Sequence, residues 1–164
     1  MRIIVMGVSG CGKSTVGTHL AVALGARFVD GDDLHPAENK AKMAAGIPLN
    51  DQDRWPWLNL VGRTLSLVEP SQTGCVIACS ALKRAYRDEI RLKAPDAVFV
   101  HLTGSRELLA SRLAGRKHEY MPSSLLDSQL AILELLEQDE RGFEVSIEDS
   151  VSRQVELILA QLRA

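Results

Sequence analysis

Apolar residues along this chain come in short runs separated by longer stretches of helical period. The runs fall at Ile3–Met6, Arg27–Asp30, Cys75–Cys79, Ala97–Leu102 and Phe143–Ile147, the length expected of buried strands. Helical patterns occupy Lys13–Leu24, Pro36–Ala44, Asp51–Val68, Lys83–Leu92, Ser105–Leu113 and Leu125–Gln138, and Val151–Leu162 closes the chain. Strands alternating with helices require right-handed crossovers, hence an α/β fold with a five-stranded parallel sheet and helices on both faces. No repeat, low-complexity stretch or Pro/Gly-rich linker interrupts the pattern, so residues 1–164 read as one domain.

Composition narrows the class of partner. With 46% hydrophobic and 24% charged residues the chain is ordinary for a globular domain. A net charge of −2 lacks the basic surplus of a nucleic-acid binder, so no nucleic-acid partner is expected. No apolar run approaches a membrane span, and the first strand starts so early that no targeting extension is expected. Cys11, Cys75 and Cys79 are an odd number without metal spacing. Packing is the role expected of Cys75 and Cys79, and a reducing cytoplasm the expected location.

The first strand leads into Gly7-Val8-Ser9-Gly10-Cys11-Gly12-Lys13-Ser14-Thr15, a complete G-x-x-x-x-G-K-[ST] loop. Strand, loop and helix are the context in which that motif binds nucleoside triphosphates. Glycines let successive N–H groups curl around phosphate oxygens, and the helix N-terminus adds partial positive charge. Gly7, Ser9, Gly10, Cys11, Gly12, Lys13, Ser14 and Thr15 are therefore the expected ATP-binding residues. Lys13 reaches the β- and γ-phosphates, and the Ser14 hydroxyl ligates Mg²⁺.

In a parallel α/β sheet, ligands sit beyond the carboxyl ends of the strands. Strand two ends in Asp30-Gly31-Asp32-Asp33-Leu34-His35-Pro36 and strand three in Ser80-Ala81-Leu82-Lys83-Arg84. Strand three lacks the terminal carboxylate that many ATPases place there. Asp30, seventeen residues after Lys13, is the replacement. That short spacing suits a small kinase, in which Asp30 serves the metal and Asp32 the acceptor hydroxyl. The plain alternative is an acidic, helix-capping turn. A guanosine-triphosphate switch is disfavoured, since there is no Asn-Lys-x-Asp and no Asp-x-x-Gly after strand three.

These residues, with Lys42-Met43, Gly46–Asp51, Asp53-Arg54, Pro56-Trp57-Leu58, Cys79–Arg84, Tyr86-Arg87-Asp88, Arg112-Leu113, Arg116, Met121-Pro122 and Leu125–Gln129, resemble the gluconate kinases. The resemblance runs from the phosphate loop to about Glu137. It implies ATP-dependent phosphorylation of D-gluconate to 6-phospho-D-gluconate on the P-loop kinase fold, with sheet order 2-3-1-4-5 and a small mobile lid at about residues 116–122. Gluconate and ATP are the expected partners, and a homodimer is left open.

A small polyhydroxy anion needs a cation for its carboxylate and polar groups for its chain. Arg54, Lys83 and Arg87 supply cations, and Asp32, His35 and Asn50 can exchange hydrogen bonds with hydroxyls. Arg84 points away from Lys83 on the same helix and reads as a solvated residue. Arg54, beside Trp55 and Trp57, has the alternative of stacking on a helix surface. Lys13, Asp32 and Arg116 are the expected catalytic residues, and Arg112 and Arg116 approach the transferring group when the lid closes.

The lid departs from the family pattern. Where the family reads Arg-Lys-Gly-His-Phe, this chain has Arg116-Lys117-His118-Glu119-Tyr120, so a role for His118 stays open. Two rival readings stay open as well, a kinase of another small hydroxy acid and a nucleotide-responsive protein without catalysis.

Overall fold

The computed structural model describes residues 1–115 and 123–164. The strands are β1 (Arg2–Met6), β2 (Arg27–Asp30), β3 (Cys75–Ala78), β4 (Val98–Thr103) and β5 (Gly142–Ser146). The helices are α1 (Lys13–Leu24), α2 (Ala37–Ala44), α3 (Asp51–Ser66), α4 (Arg84–Lys93), α5 (Arg106–Ala114), α6 (Ser123–Ile132) and α7 (Val151–Arg163). A single 3-10 turn, Gly31–Leu34, follows β2.

All strand pairs are parallel and their order is β2-β3-β1-β4-β5, as the resemblance implies. Alternation along β1 sends its side chains to two separate cores. Ile3 and Val5 join Val16, Leu20, Leu109 and Ile158 from α1, α5 and α7. Ile4 and Met6 join Leu58, Val61, Leu65 and Ile90 from α3 and α4. Every one of these residues is buried, which fixes the register of the central strand and so the position of the loop that leaves it.

The register also places strand ends together. Val5 pairs with Ala78, and Ala78 with Asp30, so the chain leaves β1, β2 and β3 on one edge. The Gly7 amide donates to the Ser80 carbonyl across that edge.

The helix expected to reach Gln138 stops at Ile132. Its continuation is diverted because the Glu134 amide donates to the Leu82 carbonyl at 2.8 Å, while the Glu134 carboxylate accepts from the Arg84 amide at 3.0 Å. These long-range partners cap α4 and outcompete another helical turn. Among the described residues no helix is long and apolar enough to cross a membrane. The lid expected at residues 116–122, with Arg116, His118 and Glu119, lies outside the described residues.

Candidate active site

The phosphate loop is shaped by its own backbone. Gly7, Gly10 and Gly12 have φ of 144°, 86° and 90°, a region closed to most side chains. Gly12 ends the loop and α1 begins at Lys13, so the first amides of the helix are free to serve an anion. The Lys13 ammonium folds back and donates to the Val8 carbonyl at 3.2 Å. Ser9 is held from α6: its amide donates to Gln129 Oε1 at 2.7 Å, and Gln129 Nε2 donates to Ser9 Oγ at 3.0 Å. Cys11 is buried in the core beneath the loop, and Thr15 is exposed on α1.

Ser14 and Asp30 meet as expected. The Ser14 hydroxyl donates to Asp30 Oδ2 at 3.2 Å, and Asp30 Oδ1 accepts the Asp32 amide at 3.0 Å. A hydroxyl beside a carboxylate is a hard oxygen pair that fits Mg²⁺, an ion bound through few protein ligands with phosphate and water completing its shell. Among the described residues no group of three or more His, Cys, Asp or Glu could hold a metal on its own. Cys79, buried at the end of β3, has its thiol pushed up to about 12, first by burial. Asp30, Asp32 and Lys13 all bear on the same thiol electrostatically, which places these three charges around one strand end. Cys75 and Cys79 pack in the α3/α4 core, as expected of them.

On the acceptor side, Gly31 approaches β3 so closely that a Cβ would lie 2.5 Å from the Ala78 carbonyl. Its own carbonyl accepts from Trp57 Nε1 at 2.8 Å. Trp57 in turn stacks on His35, with centroids 4.1 Å apart and planes at 17°. His35 is 8% exposed. Asn39 Nδ2 donates both to the Asp53 carbonyl at 2.9 Å and to His35 Nδ1 at 3.1 Å. Since Nδ1 accepts, the proton of neutral His35 is on Nε2. Burial, then Lys40 and Arg54, lowers His35 to about 4, so the ring is neutral at pH 7.

Arg54 and Lys83 converge on Asp51. Arg54 donates to Asp51 Oδ1 at 3.2 Å and to the Tyr86 hydroxyl at 3.3 Å, and Lys83 Nζ lies 3.8 Å from Asp51 Oδ2. The Tyr86 hydroxyl donates to Asp51 at 2.5 Å. That bond, with the two cations, holds the Asp51 carboxyl below the usual carboxylate range. Burial and the adjacent Asp51 push the Tyr86 phenol up to about 12. Two cations against one carboxylate leave a surplus positive charge, with both cations partly exposed.

Three sequence expectations change. Arg87 is fully buried and does not face the acceptor site. It grips Glu140 through Nε at 2.7 Å and Nη2 at 2.9 Å, and donates to the Ala81, Leu82 and Leu135 carbonyls. All its donors are spent inside the protein, and it holds a turn in which Ala81 has φ of 44°. Arg84 is no solvated bystander, because it binds Asp139 at 2.7 and 2.9 Å and also pairs with Glu137 and Asp88. Asn50 caps α3, its side-chain oxygen accepting the Asp53 amide at 2.9 Å. Arg112 stands on α5 and donates to the Ile147 carbonyl at 2.5 Å, beside the end of β5.

Sequence reasoning assigned no role to Asp51, Tyr86, Asn39, Trp57 or Gln129. Asn39 carries no motif of its own, Asp51 stands in the Gly46–Asp51 segment without an assigned role, and only their contacts reveal them.

Residues 9–157 match the family model described as shikimate kinase. The chain is 49% identical over 144 residues to the gluconokinase of Gluconobacter oxydans (strain 621H), covering 88% of this chain and 81% of that protein. It is 44% identical over 167 residues to a probable gluconokinase of Xenopus tropicalis, covering 93% and 88%. The crystal structure of a gluconokinase from Sinorhizobium meliloti 1021 superposes with a TM-score of 0.86 at 47% identity, covering 98% and 92%. A shikimate kinase from Aquifex aeolicus shares the fold alone, with a TM-score of 0.62 at 20% identity.

Proposed function

The chain belongs to the gluconokinase family and carries the shikimate kinase-type domain, and from that premise we infer that it transfers the γ-phosphoryl group of ATP to D-gluconate, giving 6-phospho-D-gluconate. The observation that carries the reading is the meeting, on one sheet edge, of a complete phosphate loop, the Ser14–Asp30 pair and a cationic pocket at Arg54 and Lys83. Such a site has a place for a triphosphate, a metal and a small polyhydroxy anion.

Phosphoryl transfer needs positioning and charge neutralisation more than covalent help. Loop amides and Lys13 hold the phosphates. Ser14 and Asp30 would hold Mg²⁺, which neutralises phosphate charge when bound. Asp32, in the turn just beyond β2, orients the acceptor hydroxyl and receives its proton. His35 offers its Nε2–H to a substrate oxygen from a fixed, neutral ring. Arg54 and Lys83 pair with the carboxylate, Asp51 and Tyr86 keeping them in place before substrate arrives. Arg112 and Arg116 serve the nucleotide and the transferring group. The setting for this chemistry is the cytoplasm.

Comparing acceptors with Mg-ATP tests the proposal. Gluconate should exceed shikimate and any nucleoside monophosphate in kcat/KM by about 100-fold or more, the scale of one unpaired polar contact and one unpaired charge. Comparable values for shikimate would transfer the assignment to another hydroxy acid, and ATP turnover with none of these acceptors would leave a nucleotide-responsive protein.

A further inference from the structure

We propose that Gln129 is a positioning residue for Lys13, acting through the Val8–Ser9 peptide; the inference rests on the ATP reading of the phosphate loop. Gln129 lies on α6, far along the chain, yet both ends of its carboxamide are used on Ser9. The oxygen accepts the Ser9 amide and the nitrogen donates to the Ser9 hydroxyl, so the side chain has one defined orientation.

The Ser9 amide and the Val8 carbonyl belong to the same peptide unit. That unit is planar and trans, so its N–H and C=O point in opposite directions. Gln129 grips the N–H at 2.7 Å, and Lys13 Nζ rests on the C=O at 3.2 Å. Rotating the peptide to break one contact breaks the other. Within the loop the Cys11 amide adds a longer contact to the Val8 carbonyl at 3.3 Å, on the same side of the peptide as Lys13. The N–H side rests on Gln129, while Gly7 and Gly10 flank the pair at positive φ. A side chain on a packed helix therefore sets the peptide plane, and the peptide plane sets where the ammonium waits.

The arrangement also decides which amides serve ATP. The Ser9 N–H is turned to Gln129 and the Cys11 N–H to the Val8 carbonyl, which leaves phosphate oxygens to the amides at the start of α1. Without Gln129 the Ser9 amide becomes a competing donor and Lys13 loses its fixed resting point. Ground-state ATP binding and transfer should both suffer, while the acceptor pocket on β2, α2 and α3 is untouched.

The test is Gln129→Leu, similar in size but unable to form either bond, in the full chain with Mg-ATP. The expected result is a fall in kcat/KM for ATP of about tenfold, the scale of one lost hydrogen bond, with KM for gluconate unchanged. Gln129→Glu retains an acceptor for the Ser9 amide and should recover kcat while keeping a raised KM for ATP, since its charge opposes the phosphates. A purely structural role would instead lower thermal stability and change both substrates alike, which overturns the proposal.

A binding titration adds a readout independent of turnover. In a Lys13→Ala background, Gln129→Leu should weaken ATP binding by less than it does in the wild type, because the group it positions is gone. An undiminished further loss in that background overturns the coupling. Wild-type protein that fails to bind ATP would instead overturn the ATP reading, so the two failures are separable.

Discussion

On the donor side of the site, the loop from Gly7 to Ser14 takes its shape from glycines at positive φ, and few side chains are needed to hold it. On the acceptor side, His35, Trp57, Asn39, Arg54, Lys83, Asp51 and Tyr86 hold each other through stacking, ion pairs and hydrogen bonds drawn from α2, α3, α4 and the residues that lead into α2 and α4. The difference reflects the ligands. A triphosphate presents many equivalent oxygens that backbone amides satisfy wherever they curve inward. A polyhydroxy acid presents one carboxylate and several distinct hydroxyls, and discriminating among them takes fixed side-chain donors with defined tautomers and charges.

Asp30 and Asp32 straddle the two regions and provide the sharpest break between them. If Asp32 orients and deprotonates the hydroxyl, Asp32→Asn keeps its size but loses the base. Turnover should fall by about 10²–10⁴-fold with ATP affinity nearly unchanged. Asp30→Asn should instead raise the Mg²⁺ concentration needed for half-maximal rate. Titrating Mg²⁺ in both variants decides the matter. An active Asp32→Asn beside an inactive Asp30→Asn of unchanged Mg²⁺ dependence would exchange the two roles.

Arg87 tests whether the acceptor region depends on the core beneath it. Burial raises the Glu140 carboxyl, but hydrogen bonds from Arg87, the Glu137 amide and Arg91 outweigh it and bring Glu140 to about 2. Arg87→Leu strands that carboxylate, and breaking one member of a buried pair costs about 3–5 kcal/mol. Each kcal/mol lowers Tm by roughly 2–4 °C in a domain of this size, so calorimetry should record a large drop. KM for gluconate in protein that remains folded should stay within about twofold. A tenfold rise in that KM with an unchanged Tm would return Arg87 to the substrate pocket. The sign with pH follows from the depressed carboxyl. The pair's contribution is present above the ordinary glutamate range and is lost as pH falls toward 2.

The same contrast explains what was legible in the sequence. The phosphate loop, the sheet and the Ser14–Asp30 pair are local or periodic features, and pattern alone locates them. Arg87 misleads because helical spacing puts it one turn from Lys83, and spacing does not show that Glu140, from a distant turn, and the Ala81, Leu82 and Leu135 carbonyls have claimed every donor. The end of α6 was hidden for the same reason, since Leu82 and Arg84, remote in sequence, decide where the helix stops. The sequence showed Tyr86 as part of a motif without showing that it braces Asp51 between two cations.

The smallest effect probes the tautomer of His35. Asn39 is 3% exposed and donates to both Asp53 and His35, so Asn39→Ala releases Nδ1 to take the proton and costs His35 its fixed Nε2 donor. Losing one neutral hydrogen bond to substrate is worth about 1 kcal/mol, or roughly fivefold in KM for gluconate with kcat little changed. Asn39→Asp goes further, because the introduced carboxylate accepts from Nδ1 and favours the imidazolium. In the wild-type protein His35 stays neutral down to about 4, so it contributes no inflection to KM between pH 5 and 8. With Asn39→Asp its titration rises into that window. Below the raised pKa the ring carries a positive charge beside an anionic substrate, and KM for gluconate should decrease as pH is lowered. Steady-state kinetics of both variants across pH 5–8 provide the check. A KM that ignores Asn39→Ala and gains no pH dependence in Asn39→Asp would show that His35 supports Trp57 and does not touch the substrate.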